Sequence, residues 1–393
     1  MSTGLTGLFD QFKAWCDARH DYARDWQRRN GGEVVATMCT YAPEELLIAA
    51  SMLPVRVLAA HDMQDAQNLA DSHIFGMFCP FSRDSLAQGL LGRYEYCTGL
   101  LLAHSCLHYR QTFHSWREHV PTLRWNYYLP MPNQVQSRFA EDLQRDELRR
   151  FRSFLEETRG KALMDVEIND AIDIVDENRR LLRQLFALRK QTDPQVSGVE
   201  ALYASLSAQF VDKREHSREL RRVLDVLAQS AQSTQLPARS EGVRLMTLGS
   251  ENDDLAFMEL VESLGATIVI DDQCSGTRYF WNESPPAKAG DDPLARIAAR
   301  YCQRPACPTK DYPAHTRFKH VLELASDYNV HAALILQQKF CDPHEGDIPA
   351  LKHMLEENGI ATLFLEFDGV NPLGPLRTRV EAFLETLGEE DLF

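Results

Sequence analysis

Short apolar runs recur along this chain, and most end on a polar loop that opens a helical stretch. Glu33-Val34-Val35-Ala36-Thr37-Met38 reads as a buried strand and ends on Cys39-Thr40-Tyr41-Ala42-Pro43-Glu44-Glu45-Leu46. Pro43 suits a helix's first turn, and Glu44 and Glu45 suit the positive end of its dipole. Pro54-Val55-Arg56-Val57-Leu58 predicts a second strand. The apolar run Ile74-Phe75-Gly76-Met77-Phe78 leads into Cys79-Pro80-Phe81-Ser82-Arg83-Asp84, which opens a helix, and Gly99-Leu100-Leu101-Leu102-Ala103 delivers His104-Ser105-Cys106. Leu123–Leu129 reads as a further strand before Pro130 and Pro132 break the chain.

The pattern then changes. Residues 5–30 carry Phe9, Phe12, Trp15, Tyr22 and Trp26 at mostly helical spacing, with Gly31-Gly32 as a stop, and 134–231 reads as helical with charged, solvated faces. The latter segment is expected to brace two sheets rather than do chemistry. The polar stretch 228–235 reads as a linker. A second series follows, with strands at 243–248, 266–270, 332–337 and 361–365 and helices at 347–358 and 375–387. The strand at 332–337 ends at Lys339-Phe340-Cys341-Asp342-Pro343-His344-Glu345, where an open α/β sheet collects ligands. Strands alternating with helices predict α/β architecture with parallel sheets in two copies. The expected division is 1–32 N-terminal helical segment, 33–133 first sheet domain, 134–235 helical connecting region and 236–393 second sheet domain.

Length and charge narrow this further. At 393 residues the chain suits two domains rather than one core. A formal net charge of −15 argues against a nucleic-acid partner, since counterion release needs a basic surface. No run approaches the ~18 apolar residues of a membrane span, and Met1–Leu5 lacks a signal-peptide pattern, so a cytoplasmic, non-membrane protein is expected.

Nine cysteines without an export signal point away from a disulfide framework. In two open parallel sheets, Cys39, Cys79 and Cys106 collect at the carboxyl edge of the first and Cys274 and Cys341 at that of the second. Thiolates there suit iron–sulfur or zinc, while buried thiols that pack as small hydrophobes are the other reading. Cys302 and Cys307 with His315 and His320 make a zinc reading with untypical spacing, set against plain structural thiols. His344 and His104, close to Cys341 and Cys106, are candidate proton donors, and Asp271 and Asp272 are candidate acids or helix caps. Neither a P-loop nor a Gly-x-Gly-x-x-Gly fingerprint occurs, so ATP hydrolysis and nicotinamide binding by this chain have no support.

The loop after Thr37-Met38, Cys79-Pro80-Phe81-Ser82-Arg83, Ser105-Cys106, Asp271-Asp272-Gln273-Cys274-Ser275-Gly276-Thr277-Arg278-Tyr279-Phe280-Trp281 and Lys339–Glu345 together resemble the 2-hydroxyacyl-CoA dehydratase and benzoyl-CoA reductase family, over nearly the whole chain. Leu129-Pro130-Met131-Pro132-Asn133, Arg304-Pro305-Ala306-Cys307-Pro308 and Arg379–Glu385 are similar to its reductase branch. The resemblance implies a [4Fe-4S] cluster between two Rossmann-like domains, with Cys79, Cys106 and Cys341 as ligands and Cys39 where some relatives place a fourth ligand or a close neighbour. Dehydratase members often carry Asp after the second ligand; Leu107 here favours the reductase branch. That branch implies reduction of benzoyl-CoA to a cyclohexadiene carboxyl-CoA by low-potential electrons. Its implied partners are a homologous beta subunit, two ATPase subunits with a bridging cluster, and ferredoxin, with ATP entering only through those partners. A 2-hydroxyacyl-CoA dehydratase subunit, or a metal-free scaffold, is the alternative.

Overall fold

The computed structural model describes residues 7–61, 64–231, 242–288, 290–369 and 372–390. Eight strands in this set form two separate parallel sheets. The first comprises β1 (Val34–Met38), β2 (Leu53–Arg56), β3 (Gly99–Ala103) and β4 (Trp125–Leu129); the second comprises β5 (Arg244–Gly249), β6 (Thr267–Asp272), β7 (Ala332–Gln338) and β8 (Ala361–Phe367). Their orders, β2-β1-β3-β4 and β6-β5-β7-β8, are the same winding used twice. In each, the direction of strand addition reverses beside the first strand, so β1/β3 and β5/β7 flank the crevice where such sheets take ligands.

Most of these strands are apolar throughout because both faces are covered, as parallel sheets require. Along β1, Val34, Ala36 and Met38 join a core shared with Leu245, Leu334 and Leu336 of the second sheet. Val35 points the other way, into a cluster with Phe151, Leu155 and Ile172 of the connecting helices. Met246, Leu248, Ala333 and Ile335 likewise pack on Leu182, Leu185 and Phe186. The connecting helices therefore cover the face of each sheet that the shared core does not.

Several expectations need correcting. The run 74–78 is a series of turns: Phe75 and Met77 are 64% and 54% exposed, whereas a central strand would bury its apolar side chains. Cys79 accordingly does not end a strand; it caps the helix Pro80–Leu90. The helix expected at 347–358 begins at Asp342, because Pro343 fits its first turn, where no N–H is needed, and Pro349 lies inside it. The N-terminal helix is two, Asp10–Asp17 and Arg19–Asn30, broken at Ala18. Helix Lys213–Ala231 runs through the first half of the expected linker, and the rest of that linker, like residues 5 and 6 of the expected N-terminal helix, lies outside the described residues.

Gly249 ends β5 at φ +120°, and a Cβ there would meet the Leu336 carbonyl oxygen of β7 at 2.2 Å. Only glycine allows that approach. Gly249→Ala is expected to cost about 1–3 kcal/mol in backbone strain alone. Thermal or denaturant unfolding checks this.

Candidate functional site

The two carboxyl edges close on one cavity of about 90 Å³. The first sheet brings Cys39, Arg56, Ser105 and Cys106 to it, the second Glu251, Cys274 and Cys341, and Cys79, Arg278, Arg304, Cys307 and His344 complete the wall. Six thiols thus line one space, more than the strand pattern predicted. A larger, outer chamber of about 510 Å³ adjoins it and shares Cys79, Cys106 and Cys341 with it. Among the described residues no three His, Cys, Asp or Glu side chains already meet as a metal site. The donor set is nevertheless that of a soft metal or an iron–sulfur cluster.

Local backbone explains how the thiols arrive. Cys39 follows β1 at φ +72°, and Phe340, immediately before Cys341, stands at φ +64°. Non-glycine residues hold such angles only when their surroundings compel it. Cys79, Cys106 and Cys341 are the N-cap residues of Pro80–Leu90, Leu107–His119 and Asp342–Glu357. Cys79 Sγ lies 3.0 Å from Ser82 Oγ, and Cys106 Sγ accepts from the Tyr109 N–H at 3.5 Å. Burial, then the neighbouring Cys79, pushes the Cys106 thiol up to about 12. Burial followed by Cys79, Cys106 and Cys307 drives Cys341 well above its usual range. Cys79, Cys106 and Cys307 thus act on Cys341 from close by. The three long helices pull the other way, since an N-terminus favours a thiolate.

The remaining candidates separate. His344 lies in the cavity wall, buried, and burial followed by Arg278 and Arg317 holds it neutral, far below the ordinary histidine range. His104 lies in the outer chamber, bonded to the Tyr128 hydroxyl, and is lowered to about 4 by burial and then Lys310. Asp271 accepts from the Thr277 and Gln273 N–H groups at 2.8 and 3.1 Å, the capping role, and Asp272 pairs with Arg317 at 2.5 Å. The zinc grouping does not assemble: Cys302 sits with Val135 and Ala306, His315 faces Asp347 at 3.4 Å and His320 meets the Trp281 ring edge-on. Cys307 instead joins the cavity.

Sequence reasoning missed the charged wall. Arg56, at the end of β2, pairs with Glu251, beyond β5, at 2.9 Å with both side chains buried. Cys274 Sγ donates to the same carboxylate at 2.5 Å. Arg56, a lone charge inside an apolar strand, is a visible signal, but its partner Glu251 looks like an ordinary polar loop position until the second sheet is placed.

A second cross-sheet contact joins His61, in the loop after β2, to Asp253 at 2.6 Å. Burial works against the imidazolium, but Asp253 outweighs it and raises His61 to about 9. With an unfolded value near 6.5, the raised group stabilises the fold fully below that pH and loses its contribution as pH climbs through about 9. Thermal midpoints across this window are expected to fall by a component that His61→Gln removes.

The family described as "2-hydroxyglutaryl-CoA dehydratase, D-component" matches residues 39–387. The (R)-phenyllactyl-CoA dehydratase beta subunit of Clostridium sporogenes is 25% identical, over 97% of this chain and 98% of its own. A benzoyl-CoA reductase subunit of Thauera aromatica is 22% identical over 93% and 94%, and the lactoyl-CoA dehydratase beta subunit of Anaerotignum propionicum 22% identical over 92% and 94%.

Proposed function

The chain belongs to the 2-hydroxyglutaryl-CoA dehydratase D-component family, and from that premise we propose that it is the cluster-bearing subunit of a hetero-oligomeric enzyme that transforms the acyl group of a coenzyme A thioester. One observation carries the reading: Cys79 and Cys106 from the first half and Cys341 from the second wall a single buried cavity at the crevices of both sheets. On this reading those thiolates hold a [4Fe-4S] cluster, with Cys39 beside them. When bound, such a group supplies single electrons at low potential.

The chain's own residues supply the surroundings. On the inner side, the apolar core and the Arg56–Glu251–Cys274 contact close the cavity against water, which would protect radical species from side reactions. His344, held neutral, can donate one hydrogen bond but cannot carry a positive charge into the site. His104, in the outer chamber, is the better placed of the two histidines to meet a proton arriving from outside. A homologous subunit, two ATPase subunits and ferredoxin belong to the same proposal, in line with relatives that are named as subunits.

The reaction read first is dehydration of a 2-hydroxyacyl-CoA, after the dehydratase names of two relatives. Leu107 after Cys106 favours a second, dearomatising reduction of benzoyl-CoA, the activity in another relative's name. Assaying the reconstituted complex with both thioester classes while counting ATP separates them. Dehydration needing only trace ATP supports the first, and ring reduction with stoichiometric ATP the second. Anaerobically purified protein is expected to contain iron and sulfide. Cys341→Ser should lose or degrade the cluster, while Cys16→Ser, whose thiol faces the Tyr203 carbonyl away from the cavity, should keep it. Identical spectra for the two variants would refute the ligand set.

A further inference from the structure

Around the thiols, positive charge exceeds what the carboxylates neutralise. Arg56 is matched by Glu251. Arg278 and Arg317 share Asp272, and Arg317 also meets Asp347 at 2.9 Å. Arg304 and Lys310 have no carboxylate partner among the described residues. Arg304 is 4% exposed, lines the cavity, lies over the Tyr41 ring at 4.4 Å and donates to the Thr40 carbonyl and hydroxyl at 2.7 and 3.1 Å, leaving its Nε–H unpaired.

Lys310 is more exceptional. It is 0% exposed, and its ammonium finds no hydrogen-bond partner among the described residues. It sits one turn beyond Cys307 in the short helix Pro308–Asp311, its backbone N–H bonded to the Cys307 carbonyl at 2.8 Å, and directly follows Thr309, which lines both the cavity and the outer chamber; against burial, Cys307, Cys39 and Cys106 raise its pKa. Burial draws it down to about 8, which still leaves it charged at neutral pH. An unpaired buried ammonium is a costly thing to keep. An anion formed at the nearby thiols offsets that cost.

We propose that Arg304, in the cavity wall, and Lys310, one turn past Cys307 behind that wall, are positioning residues: two buried cations, without carboxylate partners among the described residues, that set the charge balance of an anionic metal–thiolate group in this cavity. This rests on the cluster reading above. A thiolate-ligated iron–sulfur cluster is anionic overall and becomes more so on reduction, so a neighbouring cation favours retention and makes reduction easier. If Lys310 were only a packing residue, the near-isosteric Lys310→Met would remove a desolvated charge, raise thermal stability and leave the metal group untouched.

The test uses the full chain, purified anaerobically, as wild type, Lys310→Met and Lys310→Arg, with Arg304→Gln and Arg304→Lys as a second set should the first fail to fold. Iron and sulfide per chain, thermal midpoint and the midpoint potential from a spectroscopic redox titration are read for each. Lys310→Met and Arg304→Gln are expected to lose iron or to shift the potential to more negative values, while the charge-keeping variants stay near wild type. Wild-type iron content and potential in both neutral variants overturn the proposal and leave the cluster reading standing. A wild-type chain with neither iron nor sulfide overturns the cluster reading and the proposal with it.

Discussion

Two sheets can share one cavity only if their edges are held at a set distance, and in this chain buried charge sets it. Arg56 at the end of β2 reaches Glu251 beyond β5, and also bonds Gln209 and the Cys274 carbonyl. Behind Cys39 the short helix Glu44–Ala49 carries two buried carboxylates. Glu44 meets Lys213 at 3.1 Å and the Tyr279 hydroxyl at 2.7 Å; Glu45 meets Arg179 at 2.7 Å and the Tyr301 hydroxyl at 3.1 Å. Lys213 and Arg179 come from the connecting helices, Tyr279 and Tyr301 from the later part of the chain. Such pairs add little net stability against apolar replacements, because desolvation cancels most of the attraction. Their geometry is demanding, however, and any other relation of the sheets would strand a buried charge.

The thiols live under opposed influences. Burial raises Cys79, Cys106 and Cys341, which favours neutral thiols and an empty, protonated site. Three helix N-termini favour thiolates. On the proposed cluster reading, coordination would take the proton's place and turn the mutual repulsion of the sulfurs into shared attraction to one centre. Under that proposal, deprotonation and loading go together.

Much of the fold was legible because parallel strands covered on both faces must be apolar along their length, as in β1, β3, β5 and β7. An apolar run need not be a strand: 74–78, around Gly76, makes turns on the surface before Cys79. Cys39, Cys106 and Cys341 could be placed from strand ends alone. Cys307 could not, because it reaches the cavity from a helical segment lying between β6 and β7, and its neighbourhood is set by tertiary packing rather than by strand order. Glu44 and Glu45 were legible as first-turn acids but not as the hub of a buried network, since that role depends on residues up to 256 positions away.

The shared cavity also has a history within each molecule. During synthesis the chain emerges amino end first, and early elements fold as they appear. Cys39, Cys79 and Cys106 are then held on the first sheet while most of the second is still unmade, and Cys341 arrives only after β7. For that interval the early thiols stand on the edge of a first sheet that no second sheet yet faces, within reach of oxidants. The buried charges that later seal the cavity therefore mark the moment at which a newborn chain stops being chemically vulnerable.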